Sequence, residues 1–217
     1  MTEDTAMKEL ASDPASRKRF LKMVGGTGAA SAFGIFLAAC GSDDKQKSAK
    51  PKTAGSAKQD LAIVQYALTL EHLETDFYNA VITSGAIKDK KLGDVAKMIR
   101  DNEMQHVQAL TATVKQLGGT PVTAPRTKFE PTLAKGLTAV LQTAATVENL
   151  GAAAYLGQAP RIKSKEVLAA ALAIHTVEGR HAAALNQVVG KTIVPDDAFA
   201  KPASMAEVLP KVKPFLA

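Results

Sequence analysis

Two histidines each follow a glutamate by three positions, and these pairs are the residues best suited to bind a metal ion. The pairs are Glu103–His106 and Glu178–His181, and a further glutamate lies upstream of each, at Glu71 and at Glu148. On an α-helix, positions i and i+3 share one face, so each pair can offer a carboxylate and an imidazole to one metal ion. The repeat predicts a dinuclear metal site with these ligands: Glu71, Glu103, His106, Glu148, Glu178 and His181.

The surroundings of two of these glutamates also favour a buried site. Glu148 is the only acidic residue within 131–157, and Glu178 is the only one within 167–188. An ionised carboxylate buried among apolar side chains costs several kcal/mol, which a divalent cation would offset. Any one of these residues could be an ordinary exposed glutamate, but the whole pattern favours metal ligation.

Helix signals along the chain supply the elements that would position these residues. Residues 60–84, 90–117, 131–157 and 164–190 have helical composition, and Asp60 is the predicted cap of the first helix. Glycines and prolines separate the four segments, and a short helix is predicted within 203–216. With no Trp and only 5% aromatic residues, the chain is predicted to be all-α.

Loop lengths predict how the helices are arranged. The first and second helices are joined by a few residues, as are the third and fourth, so each pair should form an antiparallel hairpin. The connection from Gly118 to Glu130 has about 13 residues and can extend roughly 43 Å, whereas a helix of about 26 residues is roughly 39 Å long. This segment can therefore cross the whole bundle. Ile87 lies midway between Glu71 and Glu103, inside the first turn, so these two carboxylates should lie at the same height.

From Leu61 to Gly190 the chain resembles the ferritin-like superfamily, especially bacterial and plant domains related to desiccation-associated proteins. The segment Glu71-His72-Leu73-Glu74-Thr75-Asp76-Phe77-Tyr78 carries much of this resemblance. It implies a ferritin-like four-helix bundle of two hairpins joined by a long crossover, with a short C-terminal helix. In this superfamily the first ligand precedes a tyrosine by seven positions, as Glu71 precedes Tyr78 and Glu148 precedes Tyr155 here.

Several neighbouring residues remain open. Glu74 lies one turn from Glu71 and could replace or supplement it as a ligand. His175 could be an extra ligand or a hydrogen-bond partner of one, although a partly buried histidine is the favoured interpretation. Tyr78 and Tyr155 are expected to be core or hydrogen-bonded side chains, and we assign them no catalytic role. His72 is expected to be exposed.

Carboxylate-rich ligation with two imidazoles suits iron or manganese better than zinc. The resemblance implies reaction of the paired metal ions with dioxygen or peroxide, as a ferroxidase, peroxidase or catalase-like enzyme. Paired Cys-x-x-Cys motifs are absent from the sequence, so the electron-supplying rubredoxin domain of full rubrerythrins is not expected. The alternative is a non-enzymatic envelope or desiccation-related interaction protein on the same scaffold.

The first part of the chain predicts export and a lipid anchor. Residues 1–39 have a basic cluster before a Gly/Ala-rich apolar stretch, and Ser16-Arg17-Lys18-Arg19-Phe20-Leu21-Lys22 resembles a twin-arginine signal with Lys18 at the second arginine. Leu37-Ala38-Ala39-Cys40 resembles a bacterial lipobox, with Cys40 as the acylated residue and the only cysteine. The protein is therefore expected to face the periplasm or cell exterior.

The segment after the lipobox predicts a tether. Residues 40–59 lack apolar periodicity and form a flexible linker, followed by the domain at 60–217. The formal charge of +6 includes many linker lysines with no aromatic residues among them, so no nucleic-acid partner is expected. A lipid-anchored, tethered subunit favours a monomer or dimer over a closed storage cage.

Overall fold

The structure, a computed structural model, describes residues 54–217 and is helical. Within this range the six helices are α1 (Ala54–Ser84), α2 (Lys90–Gln116), α3 (Glu130–Leu133), α4 (Leu137–Gln158), α5 (Lys165–Val188) and α6 (Met205–Val212). The predicted all-α fold is confirmed. None of the helices in residues 54–217 is long and apolar enough to cross a bilayer. The predicted signal segment, Cys40 and the first part of the linker lie outside the described residues.

The start of α1 differs from the prediction. The helix begins at Ala54, so residues 54–59 are helical where a linker was predicted. Asp60 is also not a cap of its own helix. It is 2% exposed, and its carboxylate accepts the backbone N–H groups of Lys163 at 2.8 Å and Ser164 at 2.7 Å. Asp60 therefore fastens the start of α1 to the residues that precede α5.

The predicted third helix is interrupted. Residues 131–157 were expected to form one helix, but α3 ends at Leu133 and α4 begins at Leu137. Gly136 separates them with a φ of +86°, a left-handed conformation that breaks the helical ladder and that glycine adopts without strain. The functional face is unaffected because Glu148 lies in the middle of α4.

The connection between the two hairpins crosses the bundle, as predicted, and it does so along α1. α1 packs along α2, and α4 packs along α5. Gln65, in the first half of α1, bonds Thr120 O at 2.6 Å and Val122 N at 2.9 Å. Farther along α1, Asp76 accepts a 3.3 Å hydrogen bond from the hydroxyl of Thr127. This long crossover makes α2 and α4 parallel, so that all four long helices form one bundle.

Two apolar clusters fill the bundle, one on each side of the functional residues. One contains Leu73, Phe77 and Ile99, and the other contains Ile63, Leu68 and Leu110. On α1 the second cluster precedes Glu71, and the first follows it apart from Leu70. The order is reversed on antiparallel α2. Polar residues are therefore concentrated in a layer between two apolar halves.

The short helix predicted within 203–216 is present as α6 and packs against α4. Val208 and Val212 of α6 are buried in the first apolar cluster. Phe129 packs between Phe77 and Phe215, with its ring centroid 5.2 Å from that of Phe77 and 5.7 Å from that of Phe215. The crossover and the C-terminal segment are thus joined to α1 through aromatic contacts.

Candidate metal centre

Each of the four long helices contributes one fully buried glutamate to the layer between the apolar clusters. Glu71, Glu103, Glu148 and Glu178 are all 0% exposed. Such complete burial is rare for glutamate unless the carboxylate is paired or bound to a cation. The two histidines of the repeat, His106 and His181, complete this glutamate–histidine layer. The structure therefore brings together all six residues of the predicted ligand set.

The first histidine lies among three carboxylates from three helices. His106 Nδ1 is 2.9 Å from Glu103 Oε2 and 3.1 Å from Glu71 Oε2. The same nitrogen lies 3.2 Å from Glu178 Oε1. Glu103 and His106 share one face of α2 because they are three positions apart, so both can reach the same point.

The second histidine has the corresponding arrangement. His181 Nδ1 lies 3.0 Å from Glu103 Oε1 and 3.2 Å from Glu148 Oε2. Two sets of four ligand atoms, each within 4.8 Å of one another, follow from these positions: Glu71, Glu103, His106 and Glu178, and Glu103, Glu148, Glu178 and His181. Glu103 and Glu178 belong to both sets, so each can bridge two ions.

Three carboxylate oxygens of this layer lack a hydrogen bond within residues 54–217 and are suited to binding a metal ion. Glu103 Oε1 and both carboxylate oxygens of Glu178 are buried and have no hydrogen bond of acceptable geometry, although a histidine nitrogen lies near two of them. Buried oxygens without a hydrogen-bond donor are strongly unfavourable. A divalent cation would supply the missing interaction to all three.

The pKa values of the carboxyl groups also indicate that the layer is unfavourable when all of its carboxylates are ionised and no metal is bound. Burial raises the pKa of Glu178 well above its usual range, and repulsion from Glu71 and Glu103 raises it further. Burial also raises the pKa of Glu103 to about 7. Glu71 differs, because His106 lowers its pKa despite burial. The layer therefore favours protons or cations over a full set of bare carboxylates.

The same carboxylates favour the ionised form of both histidines. Burial alone would lower the pKa of His181, but its contacts with Glu103 and Glu148 raise it to about 9. Burial opposes ionisation of His106 too, and the charge of Glu71 with the contacts to Glu103 and Glu178 raises its pKa far above the usual range. Metal binding would have to displace these protons.

Two tyrosines connect the halves of the repeat crosswise. Tyr78 donates a 2.6 Å hydrogen bond to Glu148 Oε1, and Tyr155 donates a 2.5 Å hydrogen bond to Glu71 Oε1. Burial and the nearby glutamates raise the pKa of both phenols well above the usual range, so both remain protonated donors. The prediction of hydrogen-bonded tyrosines placed them correctly but did not identify their partners.

Glu74 lies at the edge of the layer. It is 2% exposed, and its Oε1 lies 2.7 Å from the point that a Cβ would occupy at Gly151. Glu178 Oε2 lies 3.1 Å from the same point. Glycine at position 151 thus leaves room for two carboxylates. Burial, followed by repulsion from Glu178, raises the pKa of Glu74 well above its usual range, which favours its protonated form in the metal-free protein.

Other histidines do not join the layer. His175 is partly buried and donates from Nδ1 to the carbonyl of Ala152 at 3.1 Å, as its favoured interpretation predicted. His72 is partly rather than fully exposed. Neither is among the clustered ligand atoms of residues 54–217.

Sequence reasoning missed two residues at the centre. Asn102 Oδ1 lies 3.1 Å from His181 Nε2, the ring nitrogen that faces away from the carboxylates. Gly151 provides the space for Glu74. Asn102 could have been found from its position directly before the first Glu-x-x-His. Gly151 has only a weak signal, its place three residues after Glu148 on the same face of α4.

A comparison with protein families agrees with the fold. A family model described as a ferritin-like domain matches residues 59–191, more than half of the 217-residue chain. The matched range contains all six residues of the glutamate–histidine layer, as well as Glu74 and Asn102. No curated protein matches the chain in a sequence search.

Proposed function

Because the chain belongs to the ferritin-like domain family, we propose that its glutamate–histidine layer holds a dinuclear iron or manganese centre. The observation that carries the proposal is the set of buried oxygens on Glu103 and Glu178 that lack a hydrogen bond. Glu71 and His106 would hold one ion, and Glu148 and His181 the other. Glu103 and Glu178 would bridge them.

Charge supports two ions rather than one. The layer and Glu74 together contain five buried carboxyl groups, while the only cationic side chains among them are two histidines. With Glu74 protonated and both histidines neutral, two divalent cations would balance the four negative charges of the layer. Hard carboxylate oxygens with imidazole nitrogens suit iron and manganese, whose higher oxidation states they stabilise.

We propose that the protein is an oxidoreductase, a ferroxidase or a peroxide-consuming enzyme in iron handling or oxidative-stress defence. The bound metals would supply electrons to dioxygen or peroxide. The protein's own groups keep the carboxylates in place. Tyr78 donates a hydrogen bond to one oxygen of Glu148, and Tyr155 donates one to an oxygen of Glu71. Glu74 is placed to take up or release a proton beside Glu178, or to serve as an additional ligand.

We also propose the cellular setting that the sequence predicts. The protein would be exported by a twin-arginine-like signal and anchored to a membrane through a lipid on Cys40. The segment after Cys40 would hold the helical domain away from the bilayer. The protein would be a monomer or a dimer. Export of a folded domain would allow the metal centre to be loaded before translocation.

Anaerobic loading followed by oxidant tests the activity. Metal-free protein is mixed with two equivalents of ferrous iron, then with air or hydrogen peroxide, and ferric absorbance in the near ultraviolet is recorded. We expect rapid growth of absorbance with the unchanged protein. Glu178→Gln keeps the side-chain volume but removes a bridging carboxylate, so the rate should fall at least tenfold.

The matched control is Glu130→Gln, which changes an exposed glutamate at the start of α3. It should leave the rate unchanged. If both variants and the unchanged protein oxidise iron no faster than iron in buffer, the oxidoreductase assignment is wrong. Faster reaction with peroxide than with air would identify peroxide as the substrate class.

A further inference from the structure

The two Glu-x-x-His motifs differ in the residue that precedes each glutamate. Asn102 precedes Glu103 on α2, and Val177 precedes Glu178 on α5. Both residues are partly buried, and they occupy the same position in the two halves of the repeat. One half therefore has a hydrogen-bonding side chain at a position where the other half has an apolar one.

Asn102 acts on the histidine of the opposite motif. Its Oδ1 lies 3.1 Å from His181 Nε2, while His181 Nδ1 faces Glu103 and Glu148. An oxygen acceptor at this distance favours the tautomer with hydrogen on Nε2. That tautomer leaves the lone pair of Nδ1 directed at the carboxylates, where a metal ion would bind, and it fixes the plane of the ring.

Within residues 54–217, His106 Nε2 has no hydrogen-bond partner corresponding to Asn102. The residue at the equivalent position of the repeat is Val177, whose side chain cannot accept a hydrogen bond. The side chain of His106 is also more exposed than that of His181, at 11% against 4%. Its ring is therefore held less firmly and is nearer to solvent.

We propose that Asn102 is a positioning residue that makes the two metal positions unequal. The position at His181 is the retained one, and the position at His106 is the one through which metal enters and leaves. This inference rests on the proposed dinuclear centre and adds an order of loading to it. The ion that exchanges at this position is a divalent first-row transition-metal cation.

Cobalt(II) titration of the metal-free full-length protein tests the inference without any enzyme assay. Cobalt absorption bands report the geometry of each position as it fills. We expect two steps, with the first ion bound at least tenfold more tightly. Asn102→Leu should weaken that first step by 10-fold to 100-fold, the usual effect of losing a hydrogen-bond partner of a ligating histidine.

Two further variants separate positioning from a structural effect. Asn102→Asp retains an oxygen acceptor and should restore the tight first step. Val177→Asn gives His106 the missing acceptor and should strengthen the second step, bringing the two affinities closer together. Circular dichroism checks that each variant is folded, and His175→Asn is the control histidine variant with no expected change in either step.

Either failure can be recognised. If cobalt binds in two steps but Asn102→Leu and Val177→Asn leave both affinities unchanged, Asn102 does not position His181 and the inference is overturned. If cobalt binds to none of the proteins, the dinuclear centre itself is wrong and the inference falls with it.

Discussion

Glu178 has both carboxylate oxygens buried without a hydrogen bond, which makes it a source of instability in the metal-free protein. Glu178→Gln replaces a carboxyl group whose ionised form burial disfavours with a neutral amide of similar volume. We expect the variant to stabilise the metal-free form by about 1–3 kcal/mol and to weaken metal binding at the same time. Thermal unfolding with a chelator and metal content at saturation measure the two effects. A variant less stable than the unchanged protein would show that Glu178 is satisfied without metal.

Gly151 makes a second residue-scale prediction. A methyl group at this position would lie 2.7 Å from Glu74 Oε1 and 3.1 Å from Glu178 Oε2. Gly151→Ala should therefore displace one carboxylate and reduce metal affinity at least tenfold, measured by competition with a chelator. Gly179→Ala is the matched control, because nothing lies within 4 Å of its added methyl group. Equal metal affinity in both variants would contradict the close packing of Glu74 and Glu178.

The candidate metal ligands could be predicted because helical spacing is a local property of the sequence. Glu103 and His106 are three positions apart, and their shared face follows from the geometry of any helix. The partners across the bundle could not be predicted in this way. The bond from Tyr155 to Glu71 depends on side-chain reach between α4 and α1, and the space at Gly151 depends on how closely these helices approach.

At the scale of elements, Gly157 determines how the C-terminal segment packs. A methyl group at this position would lie 2.0 Å from the backbone oxygen of Ala203, which cannot move as a flexible side chain can. Ala203 N also donates to Ala153 O at 2.9 Å. Gly157→Ala should separate α6 from α4 and destabilise the protein by about 2 kcal/mol or more. Chemical denaturation measures this change.

The control for this prediction lies on α2. Gly93→Ala adds a methyl group with nothing within 4 Å, and alanine favours a helix interior by about 0.5–1 kcal/mol. This variant should be more stable than the unchanged protein. If Gly157→Ala gave the same gain, the contact between α4 and the segment at Ala203 would not contribute to stability.

Element boundaries were predicted where the signal was local and missed where it was tertiary. Asp89 and Ser164 cap α2 and α5, and both helices begin where the sequence predicted. Asp60 has the same residue type as Asp89, but its carboxylate is taken by backbone groups near Ser164, far away in the sequence. The break at Gly136 was missed because helical composition continues on both sides of it.

For the whole molecule, the buried titratable groups make stability depend on pH. The folded pKa of Glu103 is raised to about 7, so its contribution to stability is complete below about 4.5 and is lost as pH rises through 7. His181 contributes below about 6.5 and loses that contribution as pH rises through 9. The melting temperature of the metal-free protein should therefore fall by several degrees between pH 5 and pH 9.

Added manganese(II) should reverse this trend. Metal binding requires deprotonated carboxylates and neutral histidines, so affinity and the gain in melting temperature should both increase with pH. The opposite lowering of the pKa of Glu71 acts only below about pH 4.5 and lies outside this window. A melting temperature that stays constant from pH 5 to pH 9 without metal would contradict the electrostatic description of the layer.

The most direct measurement is the metal content of the purified protein, by mass spectrometry, beside a Glu103→Gln, Glu178→Gln double variant and the Glu130→Gln control. Both changed positions are shared by the two ligand sets, so their loss should affect both ions. The account predicts two iron or manganese ions per chain in the unchanged protein and the control, and fewer than one in the double variant. Equal metal content in all three proteins, or none in any of them after anaerobic loading with ferrous iron, would contradict it.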